Sequence, residues 1–236
     1  MAKISKRPEM LKPGMFGAVV PTDTRRNAFD FQNEVLISHK VPIDFVFIGD
    51  SITDRWDIET YFGANNRRLV NRGIGGDMTP FLRRRFAADV IQIKPTYVVI
   101  NIGINNTWIL DELQAEVRKK PDQIHNEVLE DVTAIVAEAK KAGIIPIVTS
   151  ILPTCIETNG QTDVRNELVV AINQSYKQLT EQEGLIYVDY HSAMKVEGGN
   201  SLQPGLANDG LHPHVLGYDI MADVLRSELR KNGIVI

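Results

Sequence analysis

Ser51 closes the apolar run Asp44-Phe45-Val46-Phe47-Ile48-Gly49-Asp50-Ser51, and near the other end of the chain stands Asp209-Gly210-Leu211-His212-Pro213. A hydroxyl attacks a carbonyl only when a base takes its proton and donors stabilise the oxyanion. His212 is the obvious base and Asp209 the obvious orienter of its imidazole. A spacing of three lets both sit in one turn, where the carboxylate meets a ring nitrogen and sets the tautomer. The base acts only when neutral, so turnover should fall on the acid side of neutrality. The oxyanion donors would be the Ser51 N–H, the Gly76 N–H and the Asn105 side-chain amide.

Each residue also has an ordinary explanation. A serine after a strand can serve as a helix N-cap. Gly73, Gly75 and Gly76 resemble a loose phosphate loop, yet neither G-x-G-x-x-G nor G-K-[ST] is present. Asn105-Asn106 would suit a turn, and Asp209 and His212 could cap a helix with Pro213 at its first position. What outweighs these readings is concentration. Gly49-Asp50-Ser51, Asn71 to Thr79 and Gly103-Ile104-Asn105-Asn106 each follow an apolar run, and Asp209-x-x-His212 precedes the last helical pattern.

The elements that must position them are legible. A run of β-formers stopping at a glycine reads as a buried parallel strand. Four more runs, at 68–71, 97–102, 144–149 and 185–189, alternate with helical patterns at 124–142, 163–183 and 215–229. Strands alternating with helices of this length predict an α/β fold, one parallel five-stranded sheet with helices on both faces. No repeat, low-complexity tract or interdomain linker breaks the pattern, so 1–236 reads as one domain. In it, 1–40 forms an extension with a helix at about 24–38, packed on the rest.

Composition narrows the partners. With 236 residues, 43% hydrophobic and 24% charged, the chain is ordinary for a globular protein. A net charge of −4 argues against a nucleic-acid partner. The basic triplets Arg83-Arg84-Arg85 and Arg118-Lys119-Lys120 read as solvated helix faces. No stretch reaches the roughly 20 apolar residues of a membrane span. The N-terminus lacks an apolar signal core, so a cytoplasmic location is expected, or a periplasmic or secreted one had a leader preceded it. Cys155, the only cysteine, reads as a buried or half-buried inert thiol. A homo-oligomer is compatible with all of this.

Four blocks in order carry a resemblance. Gly49-Asp50-Ser51-Ile52, Gly75-Gly76-Asp77, Gly103-Ile104-Asn105-Asn106 and Asp209-Gly210-Leu211-His212 resemble the blocks of the SGNH, or GDSL-type, hydrolases. The resemblance implies a flavodoxin-like three-layer α/β/α fold and esterase or lipase activity with no metal or organic cofactor. It implies Ser51 as nucleophile, His212 as base, Asp209 as third member, and Ser51, Gly76 and Asn105 as oxyanion-hole donors. One position departs: the third block usually reads Gly-x-Asn-Asp, and here Asn106 stands last, which bears on how the loop is held. The G-x-S-x-G elbow of the α/β-hydrolases is absent, because Thr53 occupies its second glycine.

The run from Gly49 to Trp56 with Gly73 to Asp77 looks most like the branch of platelet-activating-factor acetylhydrolase-like proteins and bacterial carbohydrate acetylesterases. Without a long apolar lid, a short acyl group and a carbohydrate ester are expected. The alternatives are a lysophospholipase or thioesterase acting on longer chains, a catalytically silent carbohydrate-binding relative, and a metal-dependent hydrolase using Asp209, His212 and His214. Trp56, Met78, Trp108 and His214, with Thr79, Thr107 and Leu152, are the expected pocket residues.

Overall fold

A computed structural model describes residues 9–14, 16, 22–114, 116–156 and 160–236. The five apolar runs are strands: β1 (Phe45–Gly49), β2 (Leu69–Gly73), β3 (Tyr97–Asn101), β4 (Ile145–Thr149) and β5 (Ile186–Val188). They form one sheet in the order β2-β1-β3-β4-β5, with every neighbouring pair parallel. Most of their side chains are apolar on both faces because helices cover both, and β1 is buried along its whole length.

The helices are α1 (Thr22–Ser38), α2 (Ser51–Asp54), α3 (Ile58–Phe62), α4 (Thr79–Asp89), α5 (Pro121–Lys141), α6 (Thr162–Glu183), α7 (Tyr190–Met194) and α8 (Val215–Lys231). α4, α5 and α6 are the crossovers leading to β3, β4 and β5, and right-handed connection puts them on one face. α1 packs beside α4. On the other face α8 meets α2 and α3, where the Tyr218 hydroxyl donates to Ile52 O at 2.8 Å and the Tyr61 hydroxyl to Asp219 at 3.0 Å. The expected N-terminal extension falls partly outside the described residues. Of what is described, α1 is held down by buried Phe29 and Asn33. Among the described residues no helix is long and apolar enough to cross a membrane.

This strand order has a chemical consequence. The chain leaves β1 towards β2 at the sheet edge, then returns past it to build β3 on the other side. The segments that follow β1 and β3 therefore diverge, opening a crevice at their carboxyl ends, where open α/β sheets bind ligands. Ser51 follows β1 and Asn105 follows β3.

Beneath that edge lies a buried ionic network. The expected solvated triplet is corrected here: Arg83 pairs with Asp131 at the surface, whereas Arg85 is fully buried. The Arg85 guanidinium donates to Asp77 Oδ2, to Asp89 Oδ2, to Arg72 O at 2.8 Å and to Gly49 O at 3.1 Å. One planar fork thus ties the last carbonyls of β1 and β2 to two carboxylates. Burial alone would push its pKa down; Asp77 and Asp89 outweigh this and keep it charged. Asp50 lies close by, also buried, with Ile52 N–H on Oδ1 and no partner on Oδ2. Burial raises its pKa to about 7, the Ile52 N–H opposes this, and Asp77 adds to the rise.

Two outcomes test this network. Arg85→Leu takes the guanidinium away from buried Asp77 and leaves buried Asp89 with Arg26 alone, which costs about 3–5 kcal/mol. Thermal denaturation should show a Tm fall of roughly 10 °C, and an unchanged Tm would refute the network's role. Asp50 binds its proton more tightly folded than unfolded, so native stability drops as pH rises from about 4 towards about 7 and stays lower above it. Asp50→Asn removes that drop. Its Tm should improve relative to the native chain by roughly several degrees between pH 5 and pH 8, and a constant difference would contradict the raised pKa.

Candidate active site

Ser51 is placed by its neighbours on both sides. Asp50, not Ser51, is the N-cap of α2, with its Oδ1 accepting the Ile52 N–H at 2.9 Å. Ser51 is therefore the first helical residue, and its own N–H is one of the donors that a helix start leaves without an intrahelical partner. From β2, the Asn71 amide donates to Thr53 O and Trp56 O, which fixes the far end of this single turn.

The turn Ile74-Gly75-Gly76-Asp77 lies alongside. It is closed by Asp77 N–H on Ile74 O at 3.1 Å, and Gly76 at its third position has φ +77°. Only glycine adopts that conformation cheaply. A Cβ added to Gly75 would stand 4.0 Å from Ser51 Cβ, so this turn runs beside the hydroxyl. Asn105 joins from the 3-10 helix Ile104–Asp111, its Nδ2 donating to Asp77 O at 2.9 Å.

The base arrives from the loop before α8. Asp209 Oδ1 accepts the N–H groups of Leu211 and His212, at 3.0 and 2.7 Å, which folds the carboxylate back over its own turn. Gly210 has φ +74°, and a Cβ there would lie 1.9 Å from Cys155 O, so the turn admits only glycine. Cys155 N–H donates to Gly210 O at 2.7 Å, stitching this loop to the segment after β4. The result is a linear array: Ser51 Oγ lies 2.8 Å from His212 Nε2, and His212 Nδ1 lies 2.6 Å from Asp209 Oδ2. Partial burial pushes the Asp209 carboxyl up, but the His212 N–H, its imidazole and the Leu211 N–H outweigh this and hold it at about 2. A permanent carboxylate behind an imidazole that faces a serine hydroxyl can draw a proton from that hydroxyl.

The expected pocket residues differ in exposure, and burial corrects some of them. Trp56 is 4% exposed, packed among Phe47, Phe62, Tyr190 and Tyr218, and so walls no pocket. Thr79, Thr107 and Leu152 are buried as well. His214 is the N-cap of α8, its Nδ1 accepting Leu216 N–H. Met78 and Trp108 are half-buried. Cys155 is exposed, not buried.

The departure at Asn106 has a local answer. Its Oδ1 accepts Thr79 N–H and its Nδ2 donates to Thr79 Oγ1, whose proton goes on to Asp131 at 2.9 Å. The carboxylate comes from α5, and a neutral amide suits the position beside it. Sequence reasoning missed Asp131 and Arg85; in each case the signal is a charge whose partner is distant in the chain or a turn away on the same helix.

Comparisons with known proteins give the chain its relatives. The model of the GDSL-like Lipase/Acylhydrolase family matches residues 47–220. An acetylxylan esterase from Geobacillus stearothermophilus is 33% identical over 215 residues, 80% of this chain and 93% of that protein. Among solved structures, a GDSL-like lipase from Bacteroides thetaiotaomicron superposes with a TM-score of 0.73 at 26% identity, covering 87% of this chain and 97% of that one. A catalytic mutant of an acetylxylan esterase from Geobacillus stearothermophilus gives 0.63 at 26% identity, covering 83% and 97%. The chain belongs to the GDSL-like lipase/acylhydrolase family and is a serine esterase.

Proposed function

We propose that the chain hydrolyses short-chain, chiefly acetyl, esters of carbohydrates through a Ser51-His212-Asp209 triad and an acyl-enzyme. The observation that carries the mechanism is the unbroken array of two short contacts, Ser51 Oγ to His212 Nε2 at 2.8 Å and His212 Nδ1 to Asp209 Oδ2 at 2.6 Å. His212 Nε2 takes the Ser51 proton as Oγ bonds to the acyl carbon, and the carbonyl electrons move onto oxygen. The oxyanion is met by the Ser51 N–H, the Gly76 N–H and the Asn105 amide. When the tetrahedral adduct collapses, the C–O bond to the sugar breaks and His212 returns the proton to the leaving alkoxide. Water repeats the cycle, giving its proton to His212 and releasing the acid. Asp209 holds the tautomer and balances the imidazolium. The choice of an acetylated saccharide is supported by the similarity to acetylxylan esterase from Geobacillus stearothermophilus, in sequence and in structure.

Two measurements test this. Ser51→Ala should abolish p-nitrophenyl acetate hydrolysis and fluorophosphonate labelling, and Asp209→Asn should lower kcat by roughly 10²–10⁴; retained activity in Ser51→Ala ends the scheme. Across p-nitrophenyl esters kcat/KM should fall steeply beyond propionate, and acetylated xylo-oligosaccharides should release acetate. A maximum at medium or long chains would instead favour the lysophospholipase or thioesterase reading.

A further inference from the structure

Trp108 stands one helical turn beyond Asn105, and its surroundings are unusual for a pocket wall. Its indole Nε1–H donates to Asn105 Oδ1 at 2.8 Å. The Arg165 guanidinium, reaching in from α6, lies over its ring at 4.7 Å. Arg165 is itself fully buried, donating through Nε to Thr107 Oγ1 at 3.0 Å and pairing through Nη2 with Asp111. One cation therefore grips Thr107, Trp108 and Asp111 of the 3-10 helix that carries Asn105.

A side-chain amide is nearly symmetric in shape and can rotate by half a turn, exchanging oxygen for NH₂. At Asn105 that exchange would put an acceptor where an oxyanion needs a donor. Here the oxygen is occupied by the indole N–H, and one Nδ2 hydrogen is given to Asp77 O at 2.9 Å. With both directions assigned, only one Nδ2–H remains to donate elsewhere. A flipped amide would set Nδ2 against the indole N–H and Oδ1 against the Asp77 carbonyl, two donor–donor and acceptor–acceptor clashes at once.

We propose that Trp108 is a positioning residue that locks the Asn105 amide with its free N–H towards the oxyanion, and that Arg165 holds Trp108 in place for this purpose. The inference rests on the oxyanion role proposed above for Asn105. It gives Trp108 a task in turnover and not in substrate grip, so its loss should appear in kcat.

The test is a double-mutant cycle on p-nitrophenyl acetate with the native chain, Trp108→Phe, Asn105→Ala and the double variant. Trp108→Phe keeps an aromatic ring under Arg165 and removes the N–H together with the pyrrole part of the indole, so the cycle with Asn105→Ala separates the lost hydrogen bond from the lost volume. It should lower kcat by roughly 10- to 100-fold, somewhat less than deleting an oxyanion donor, with KM changed by less than about two-fold. In the Asn105→Ala background the same change should cost almost nothing, because there is no amide left to orient. An intact kcat in Trp108→Phe, an equal loss in both backgrounds, or a loss confined to KM would each overturn the proposal. If Trp108→Phe melts early, Trp108→Leu repeats the cycle with an apolar side chain that likewise offers Asn105 Oδ1 no donor. A native chain that fails to turn over, or turns over equally well as Ser51→Ala, would sink the esterase scheme itself. An active native chain with an indifferent Trp108 sinks only this role.

Discussion

The structure hangs on the Arg85 guanidinium. β1 and β2 end side by side, and the Ile74 N–H just beyond β2 still bonds Gly49 O at 3.0 Å. Arg85 answers Gly49 O and Arg72 O, and the same cation neutralises Asp77, whose own carbonyl receives Asn105. The nucleophile turn, the glycine turn and the amide after β3 are therefore referenced to one buried group. A buried cation is costly unless every donor is satisfied; here its five N–H groups face four acceptors fixed by backbone and helix. The rigidity this gives is what lets loops, otherwise the mobile part of an α/β fold, hold reacting atoms in register.

The sheet and the long helices were legible in the sequence because hydrophobic periodicity reports burial directly. All five strands and helices α5, α6 and α8 stand within a few residues of the expected runs. The meeting of Ser51, Asp209 and His212 was legible for a related reason: polar and glycine residues crowd strand ends where backbone must turn and ligands can bind. Pattern alone misjudged residues whose partners lie elsewhere in the fold. Arg85 sits in a run of three arginines and is indistinguishable from its exposed neighbours until Asp77 and Asp89 close around it. Trp56 is near Ser51 in sequence, yet its carbonyl is held by Asn71 of β2 and its ring packs inward in the aromatic cluster. The 3-10 helix 104–111 carries no 3.6 periodicity, so the roles of Trp108 and Arg165 were invisible.

The two halves of the site are built by different means. The Ser51 side is rigid through burial, with Asp50, Asp77 and Arg85 all excluded from water. The Asp209 side is half-exposed and depends on backbone geometry, chiefly the Gly210 turn against Cys155 O. A carboxylate that accepts two N–H groups and an imidazole stays ionised even in contact with solvent. It therefore needs no buried countercharge, and the open side would leave a path for water to reach the acyl-enzyme of the proposed mechanism.

Ser51 and His212 are 161 residues apart in the chain, and their contact is among the longest-range in the fold. Loop closure over such a span is slow to be rewarded, and during synthesis the sheet can form before the last helix leaves the ribosome. Ser51 is then already seated in its turn before His212 is in place. Under the mechanism proposed above, reactivity would arrive only when α8 docks and carries the Asp209–His212 loop to Ser51. A nascent or C-terminally clipped chain would then be chemically silent, and completion of folding would itself be the activation step.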